Sequence, residues 1–345
     1  MRPSPSTKFK NPRAKHDFVG RSCSITGVGS YVPEKILTNA DLEKLVETTD
    51  EWIVSRTGIK ERRIAAADEF TSDLATKAAE RAMKMAGVTA DQIDLIIVAT
   101  ITPDMPFPNT ACLVQRKLGA KRAAAFDLEA ACSGFIYGLE IGQQFIMSRT
   151  YETVLVIGAE KLSSITNWKD RNTCVLFGDG AGAAILQNRA NSHGLLTAVM
   201  GADGNKADLL SMPGGGSRCP ATAESVADGL HFLRMDGKET FKNAVQAMVS
   251  AANEVMRRCE IDITKIKCII PHQANRRIID AVGDRLGGTP EQLFVNLEKY
   301  GNTSAASVAI ALDEAVSSGK ILRGDLILIV VFGAGLTWGA AVIEW

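Results

Sequence analysis

The chain has 345 residues, 46% of them hydrophobic, so it can bury the core of one large domain or of two ordinary ones. Lys and Arg number 39, as do Asp and Glu, and this balance gives no global charge that would indicate a nucleic-acid partner. Seven scattered cysteines without a CxxC pair argue against a disulfide framework or zinc knuckle and fit a reducing, cytoplasmic location. We predict neither a metal site nor a cofactor.

Residues 1–21 are basic, polar and proline-containing, which predicts a disordered N-terminal tail. They lack the apolar run of a secretory signal. A plastid transit peptide is an alternative, but the segment is short and Asp17 is unusual in one. No stretch approaches the ~18 continuous apolar residues of a membrane span, so no membrane association is expected.

Hydrophobic periodicity predicts strands that alternate with helices through the first half. The predicted elements are a strand over 22–28, a helix that Asn39 caps and that runs to about Glu47, a helix over 71–86, strands over 95–99 and 123–128, a helix over 133–148, a strand over 154–158, and a hairpin turn at Gly178-Asp179-Gly180. The stretch from about 188 to 230 carries the weakest signals. This alternation predicts an α/β fold.

The second half repeats the first at an offset of about 173 residues. Ile93, Ile96 and Ile97 fall on Ile266, Ile269 and Ile270, and the small residues Gly134, Gly138 and Gly142 fall on Ser307, Ala311 and Ala315. A common offset through helix, strand and small-residue helix predicts two similar halves, over 22–190 and 191–345, related by a pseudo-twofold axis. We expect the two small-faced helices to pack against each other at the centre.

Cys132 lies where the strand over 123–128 turns into the first turn of a buried helix. Unpaired N–H groups and the positive end of the helix dipole favour a thiolate there, so we expect a lowered pKa and a reactive thiol. A small buried core cysteine is the alternative. The repeat places His272 and Asn302 in loops at the same edge of the sheets, and three such residues at one edge favour a catalytic site over a structural histidine.

At these residues the chain resembles the β-ketoacyl-acyl-carrier-protein synthase III family of the thiolase superfamily. The resemblance is carried by Ala130-Ala131-Cys132-Ser133-Gly134-Phe135, Pro271-His272-Gln273-Ala274-Asn275 and Gly301-Asn302-Thr303-Ser304-Ala305-Ala306-Ser307, and it runs from about Ser22 to Trp345. Elongating condensing enzymes have a second His at the position of Asn302, and thiolases have a second Cys. The resemblance implies a thiolase-like αβαβα arrangement.

The resemblance implies that Cys132 takes the acyl group of an acyl-CoA primer, with acetyl-CoA the expected primer. His272 and Asn302 would then donate hydrogen bonds to the thioester oxygen of malonyl-acyl-carrier protein as carbon dioxide leaves. The resulting carbanion attacks the acyl-cysteine and gives 3-oxoacyl-carrier protein, the first condensation of type II fatty acid synthesis. Two fixed donors are what a developing enolate needs.

Further site residues follow from the resemblance. The amide of Cys132 and one from Gly333-Ala334-Gly335 would form the other oxyanion hole, beside Phe332. The CoA contacts would be Trp52, Arg56 and Arg171, although Asn172 stands where the family usually has Gly. The carrier-protein contacts would be Gln273, Ala274, Asn275, Arg276 and Arg277, with Asn275 also at the substrate, and a basic cluster with Arg257, Arg258, Lys265 and Lys267 would suit an acidic carrier.

The loop Met105-Pro106-Phe107-Pro108 is stiffened by its prolines. In the family this loop crosses a dimer interface, which implies a homodimer in which Phe107 closes the partner's acyl pocket and favours short primers. Interface packing alone is the alternative.

Three other functions share parts of this pattern. A condensing enzyme for a specialised ketide would keep Cys132, His272 and Asn302 and change the primer or extender. A Cys-His-Asn hydrolase shares the residue types, but the internal repeat argues against it. A non-catalytic partner subunit would typically lack one of the three.

Overall fold

The computed structural model describes residues 22–189 and 194–345. The predicted tail over 1–21 and the predicted boundary between the halves at 190/191 lie outside these residues. In the part of the chain that the structure describes, no helix combines the length and the apolar character needed to cross a bilayer.

The strands in chain order are β1 Cys23–Tyr31, β2 Ile36–Thr38, β3 Glu61–Arg63, β4 Leu95–Ala99, β5 Ala124–Leu128, β6 Thr153–Glu160, β7 Gly180–Asn188, β8 Leu195–Ala202, β9 Leu210–Ser211, β10 Arg234–Met235, β11 Cys268–Pro271, β12 Leu326–Gly333 and β13 Thr337–Glu344. The helices are α1 Asn39–Leu42, α2 Asp50–Thr57, α3 Thr71–Ala86, α4 Thr110–Leu118, α5 Gly134–Met147, α6 Arg171–Cys174, α7 Ala223–Ala227, α8 Gly237–Cys259, α9 Arg276–Leu286, α10 Leu297–Tyr300 and α11 Ala306–Ser317.

Two large sheets share one topology. The first has the order β1-β7-β6-β4-β5 and the second the order β8-β13-β12-β11. Strands β6 and β4 of the first sheet are parallel, as are their counterparts β12 and β11 in the second. The pairs β1–β7 and β7–β6 are antiparallel, as are their counterparts β8–β13 and β13–β12. The sheets therefore carry the predicted internal repeat.

The helices form three layers around these sheets. α3 and α4 cover the outer face of the first sheet, α5 and α11 lie between the sheets, and α8 and α9 cover the outer face of the second. Strand β4 is buried on both faces, with Ile97 in the central cluster and Ile96 and Val98 in the outer one. Both faces are covered, so β4 is apolar throughout. The predicted α/β fold with αβαβα layers is confirmed.

The offset of 173 residues holds residue by residue at the centre. It maps β6 onto β12, residue for residue. It also maps Ala131, at φ 46°, onto Ser304, at φ 49°, so the turn before each central helix has the same left-handed backbone. The starts of α5 and α11 are thus related by the pseudo-twofold axis.

The expected contact between two small-residue faces is largely wrong. A Cβ on Gly138 would lie 2.7 Å from Val156 Cγ1, and one on Gly142 would lie 2.7 Å from Leu186 Cδ1, so this face packs on the first sheet. Only Gly134 approaches Ala305 of the other helix. Glycine is required at 138 and 142 because side chains of the first sheet fill the space that a Cβ would occupy, and not because the two helices approach closely there.

Two local predictions are also wrong. The helix expected from Asn39 to Glu47 is the single turn α1, capped by Thr38, because buried Asn39 instead donates to the Asp50 carboxylate at 2.7 Å. The sequence Gly178-Asp179-Gly180 is not a hairpin turn. Asp179 is fully buried and accepts hydrogen bonds from Ala65 and Ser163, and β7 begins after it.

Candidate active site

One cavity of about 1060 Å³ opens at the edge where β5, β6, β11 and β12 end. Cys132, His272 and Asn302 all line it, and all three are buried. The repeat therefore brings together the three residues that the sequence predicted at one site. The carboxyl ends of parallel strands are the usual place for ligands in such sheets.

Cys132 belongs to a short 3₁₀ turn, Ala131–Ser133, that leads directly into α5. Its position at the start of the helix is as predicted, but its pKa is not. Only 6% of the residue is exposed, and this burial raises the pKa of the thiol to about 12, although a neighbouring hydroxyl, that of Ser304, lowers it. Loss of water outweighs the helix terminus because the thiolate has no cation beside it. In the resting protein Cys132 is a thiol.

His272 follows β11, and its backbone N–H continues the parallel ladder by donating to the Val330 carbonyl oxygen at 2.8 Å. Its Nδ1 lies 2.6 Å from the Ser307 hydroxyl in the first turn of α11. Burial lowers the pKa of His272 to about 3, so the ring is neutral near pH 7. The Ser307 hydroxyl can donate to Nδ1, and in that tautomer the single ring proton lies on Nε2, which makes Nε2–H a donor.

Asn302 lies before α11 and is fixed from both sides. Its backbone N–H donates to the Leu176 carbonyl oxygen at 2.8 Å, and its Oδ1 accepts the Ser304 N–H at 2.9 Å. Because the amide oxygen is engaged, the NH2 group is the part left to donate to a ligand.

The turn after β12 lies against the cysteine. A Cβ on Gly333 would be 2.7 Å from the Cys132 amide nitrogen, so only glycine permits this approach. The Thr337 hydroxyl donates to the Ala130 carbonyl oxygen at 2.9 Å and ties the turn to the nucleophile segment. Phe332 is buried and also lines the cavity.

The predicted CoA contacts cluster around the Trp52 ring. Trp52 and Arg56 line it, and the guanidinium carbon of Arg56 is 5.4 Å from the Trp52 ring centroid. Arg171 does not line the cavity itself, but its guanidinium carbon lies 4.8 Å from the same ring. Asn172, the departure from the family pattern, lines the cavity instead.

The predicted carrier-protein segment is only partly at the surface. The Gln273 side chain is buried, donates to Pro271 at 2.7 Å and accepts from Asn296 at 3.0 Å. The expected docking contact of the Gln273 side chain is therefore corrected to a structural role. Ala274 and Asn275 line the cavity, and Asn275 also caps α9.

The predicted basic cluster is partly neutralised by neighbouring carboxylates. Arg257 and Arg258 pair with Glu254, and Arg276 pairs with Asp280 at 2.7 Å. Arg277 differs, because its guanidinium lies 5.7 Å from the Phe241 ring centroid at the cavity wall. Of the predicted cluster, Arg277 is the residue best placed to meet a partner that enters the cavity.

Phe107 is 84% exposed and does not line the cavity of its own chain. Its expected place in a partner's acyl pocket stays a prediction.

Sequence reasoning gave no site role to four residues around the site: Glu160, Ser304, Ser307 and Thr337. The offset of 173 pairs Ser307 with Gly134, but the sequence analysis treated Ser307 only as a small residue, although it carries a hydroxyl where the first half has none. Glu160 ends β6 and is fully buried, which an apolar strand pattern gives no reason to expect. Among the described residues, no group of three or more His, Cys, Asp and Glu side chains could hold a metal ion.

The layered fold, with a cysteine at the start of a central helix and a histidine and an asparagine on the same cavity, defines a thiolase-like acyltransferase. Comparisons with known proteins agree. The model of 3-oxoacyl-[acyl-carrier-protein] synthase III matches residues 126–204, and that of the C-terminal part of the same synthase matches residues 256–345. The chain belongs to the 3-oxoacyl-[acyl-carrier-protein] synthase III family, which is the β-ketoacyl-[acyl-carrier-protein] synthase III family under its other name.

Individual relatives are similar over nearly the whole chain. The β-ketoacyl-[acyl-carrier-protein] synthase III of Caldanaerobacter subterraneus is 59% identical over 324 residues, 94% of this chain and 98% of its own. The crystal structure of the 3-oxoacyl-[acyl-carrier-protein] synthase III of Aquifex aeolicus has a TM-score of 0.88 at 48% identity and covers 94% of this chain and 100% of its own. The priming β-ketosynthase of the R1128 polyketide pathway has a TM-score of 0.87 at 37% identity and covers 94% of this chain and 96% of its own.

Proposed function

We propose that the protein condenses an acyl-CoA primer with malonyl-acyl-carrier protein by decarboxylative Claisen condensation and so initiates type II fatty acid synthesis. The observation that carries the proposal is one cavity in which a buried cysteine, a neutral histidine donor and an oriented asparagine amide converge. Family membership supports the same reaction. A cavity of this size suits a pantetheine arm, since small-molecule pockets commonly span ~300–1,000 Å³.

In the first half-reaction the Cys132 sulfur attacks the thioester carbonyl of the primer, and CoA leaves as a thiolate. The carbonyl oxygen becomes an oxyanion, and we assign its stabilisation to the Cys132 amide and an amide of the turn after Phe332, a role supported by the close approach of Gly333 to Cys132. Because Cys132 rests as a thiol, its proton has to leave as the S–C bond forms. Trp52, Arg56 and Arg171 hold the nucleotide end of CoA by stacking and charge.

In the second half-reaction malonyl-acyl-carrier protein enters the emptied cavity. Nε2–H of His272 and the NH2 group of Asn302 donate to the thioester oxygen, so that charge can collect there as the carboxylate leaves as carbon dioxide. The enolate carbon then attacks the acyl-cysteine, and the Cys132 thiolate departs from 3-oxoacyl-carrier protein. Both donors stay neutral while the enolate forms and reacts, since His272 binds no second proton near pH 7.

The test is intact-protein mass spectrometry after mixing with acetyl-CoA and longer acyl-CoAs. We expect one acyl group per chain in the wild type and none in Cys132→Ala. Cys112, the exposed cysteine, supplies the matched control, since Cys112→Ala should acylate normally. An acyl adduct at another cysteine in Cys132→Ala would refute the assignment.

A specialised ketide synthase is the second candidate, because the R1128 priming ketosynthase is similar over nearly the whole chain. The two functions share the chemistry and differ in primer and carrier protein. Rates with acetyl-CoA and branched acyl-CoAs, measured with fatty-acid and polyketide carrier proteins in parallel, distinguish them.

The same proposal includes a homodimer that works in the cytoplasm. Strand β5 is the edge of the first sheet, so one row of its backbone groups is available to pair with a second copy. The exposed Phe107 lies in the loop that leads towards the neighbouring α4. All seven cysteines are free thiols, which suits a reducing compartment.

A further inference from the structure

A buried carboxyl group lies behind the candidate nucleophile, and the half-reactions above leave it without a role. Glu160 is fully buried at the end of β6. Its carboxylate accepts hydrogen bonds from the Thr102 hydroxyl at 2.6 Å, the Thr100 hydroxyl at 3.2 Å and the Ile101 amide at 3.1 Å. A buried carboxyl group held by several donors, with no cation against it, is uncommon away from functional sites.

One buried hydroxyl, that of Ser304, lies on the same cavity as the cysteine. Ser304 is 1% exposed, and its hydroxyl has no hydrogen-bond partner among the described residues. It is nevertheless close enough to both neighbours to lower the pKa of the Cys132 thiol and that of the Glu160 carboxyl group. A buried hydroxyl between a proton donor and an acceptor can give one proton and take another.

The arrangement draws residues from both halves, and the pseudo-twofold axis does not repeat it. The offset of 173 maps Ser304 onto Ala131 and Glu160 onto Gly333. The equivalent positions around Ala305, the counterpart of Cys132, therefore have neither a hydroxyl nor a carboxyl group. Alanine and glycine at these counterpart positions are sufficient for the fold, so the hydroxyl and the carboxyl group are not required by the fold alone.

We propose that Glu160 receives the proton of the Cys132 thiol through the Ser304 hydroxyl during acylation and returns it during condensation. The inference rests on the proposed function. As the sulfur–carbon bond forms, the thiol proton passes to Ser304, the Ser304 proton passes to the Glu160 carboxylate, and CoA leaves as a thiolate that solvent protonates. When the enolate attacks and the Cys132 thiolate departs, Glu160 gives the proton back by the same route.

The neighbouring charged groups are engaged elsewhere, so the Cys132 thiol and the Glu160 carboxyl group are the two groups that exchange a proton. Burial raises the pKa of Glu160 to about 7, which matches a proton acceptor that works near neutral pH. Lys161 turns its ammonium to two backbone carbonyl oxygens, and Asp104 accepts from Ser72. His272, which lines the same cavity as Cys132, is neutral.

The experiment measures the rate of acyl-enzyme formation from acetyl-CoA by rapid-quench mass spectrometry between pH 5.5 and 9. The wild type should lose rate below an inflection near pH 7. In Glu160→Gln, which keeps the shape and removes the ionisation, we expect an acylation rate about 100-fold lower at pH 8 and no inflection near pH 7. Ser304→Ala should behave alike, and the double variant should be no slower than either single variant.

Two features of the chain provide controls. Ala131 has the backbone conformation of Ser304, so alanine is compatible with position 304 if Glu160→Gln does not fold. Asp179→Asn removes another fully buried carboxylate, one bonded to Ala65 and Ser163, and should acylate at the wild-type rate per folded chain.

Several results would overturn the relay. If the carboxylate only repels the thiolate, Glu160→Gln acylates as fast as the wild type or faster, and such a rate excludes proton transfer. Proton transfer is also excluded if Ser304→Ala keeps the wild-type pH profile of acylation, or if Asp179→Asn loses as much acylation rate as Glu160→Gln. Persistent labelling of Cys132→Ala would instead refute the proposed function, which keeps the two failures distinct.

Discussion

Ser307→Ala tests whether the orientation of His272 sets the rate of the second half-reaction. The hydroxyl is 2.6 Å from Nδ1 of a buried ring, and its removal leaves that nitrogen without its partner. An unsatisfied buried polar group costs about 1–3 kcal/mol. If that cost falls on the enolate-like transition state, the rate of decarboxylation drops by about 5- to 150-fold, at about 1.4 kcal/mol per factor of ten.

The loss should be confined to one step. We expect the acyl-enzyme burst from acetyl-CoA to stay near the wild-type rate, because the primer does not use the histidine donor. Release of carbon dioxide from malonyl-acyl-carrier protein by the acylated enzyme should fall by the stated factor. His272→Ala sets the lower limit of that rate, and Ser317→Ala, an exposed hydroxyl at the far end of α11, is the matched control.

Wild-type decarboxylation in Ser307→Ala would show that the hydroxyl does not hold the productive tautomer. An equal loss in both half-reactions would also contradict the reasoning, since it would indicate a general distortion of the cavity.

Two further predictions concern partners and primer choice. Arg277→Glu should raise KM for the acidic carrier protein by about tenfold at low salt, with acylation from CoA unchanged; steady-state kinetics across a salt series check this, and a salt-independent KM equal to the wild type would rule out docking at Arg277. Phe107→Thr should shift kcat/KM from acetyl-CoA towards octanoyl-CoA by about 10-fold or more, since small changes in pocket size move discrimination by ~1–3 kcal/mol. An unchanged ratio together with a less stable dimer would restrict Phe107 to interface packing.

Periodicity predicted the regular elements of the first half closely. The expected helix over 71–86 and strand over 95–99 have the bounds of α3 and β4. Each carries an unbroken pattern and a clear terminal signal. The hairpin at Asp179 failed because a buried side chain, which accepts from residues distant in sequence, replaced the turn that a local Gly-Asp-Gly signal favours.

The repeat and the motifs were sufficient to gather Cys132, His272 and Asn302 at one edge. They could not give the protonation state of the thiol, which depends on how completely surrounding elements exclude water. The helix terminus is visible in the sequence, whereas burial is a property of the packed layers. Glu160 was missed for the same reason, since its donors come from the loop after β4 and no local pattern links that loop to β6.

The buried Glu160 should lower the free energy of unfolding at neutral pH by a measurable amount. Its pKa is raised from 4.5 to about 7 by burial, so between these pH values the unfolded chain ionises while the folded protein does not. Stability is thus lost as pH rises from 4.5 through 7, by about 3 kcal/mol at about 1.4 kcal/mol per pH unit. Glu160→Gln has no such titration, so its unfolding free energy relative to the wild type should increase by about that amount between pH 4.5 and 8. Urea unfolding of both proteins at matched pH values measures this, and a difference that is constant with pH would mean that Glu160 ionises in the folded protein as it does in water. A group that weakens the fold at neutral pH, beside a cysteine that needs a proton acceptor, is better explained by the reaction than by the packing.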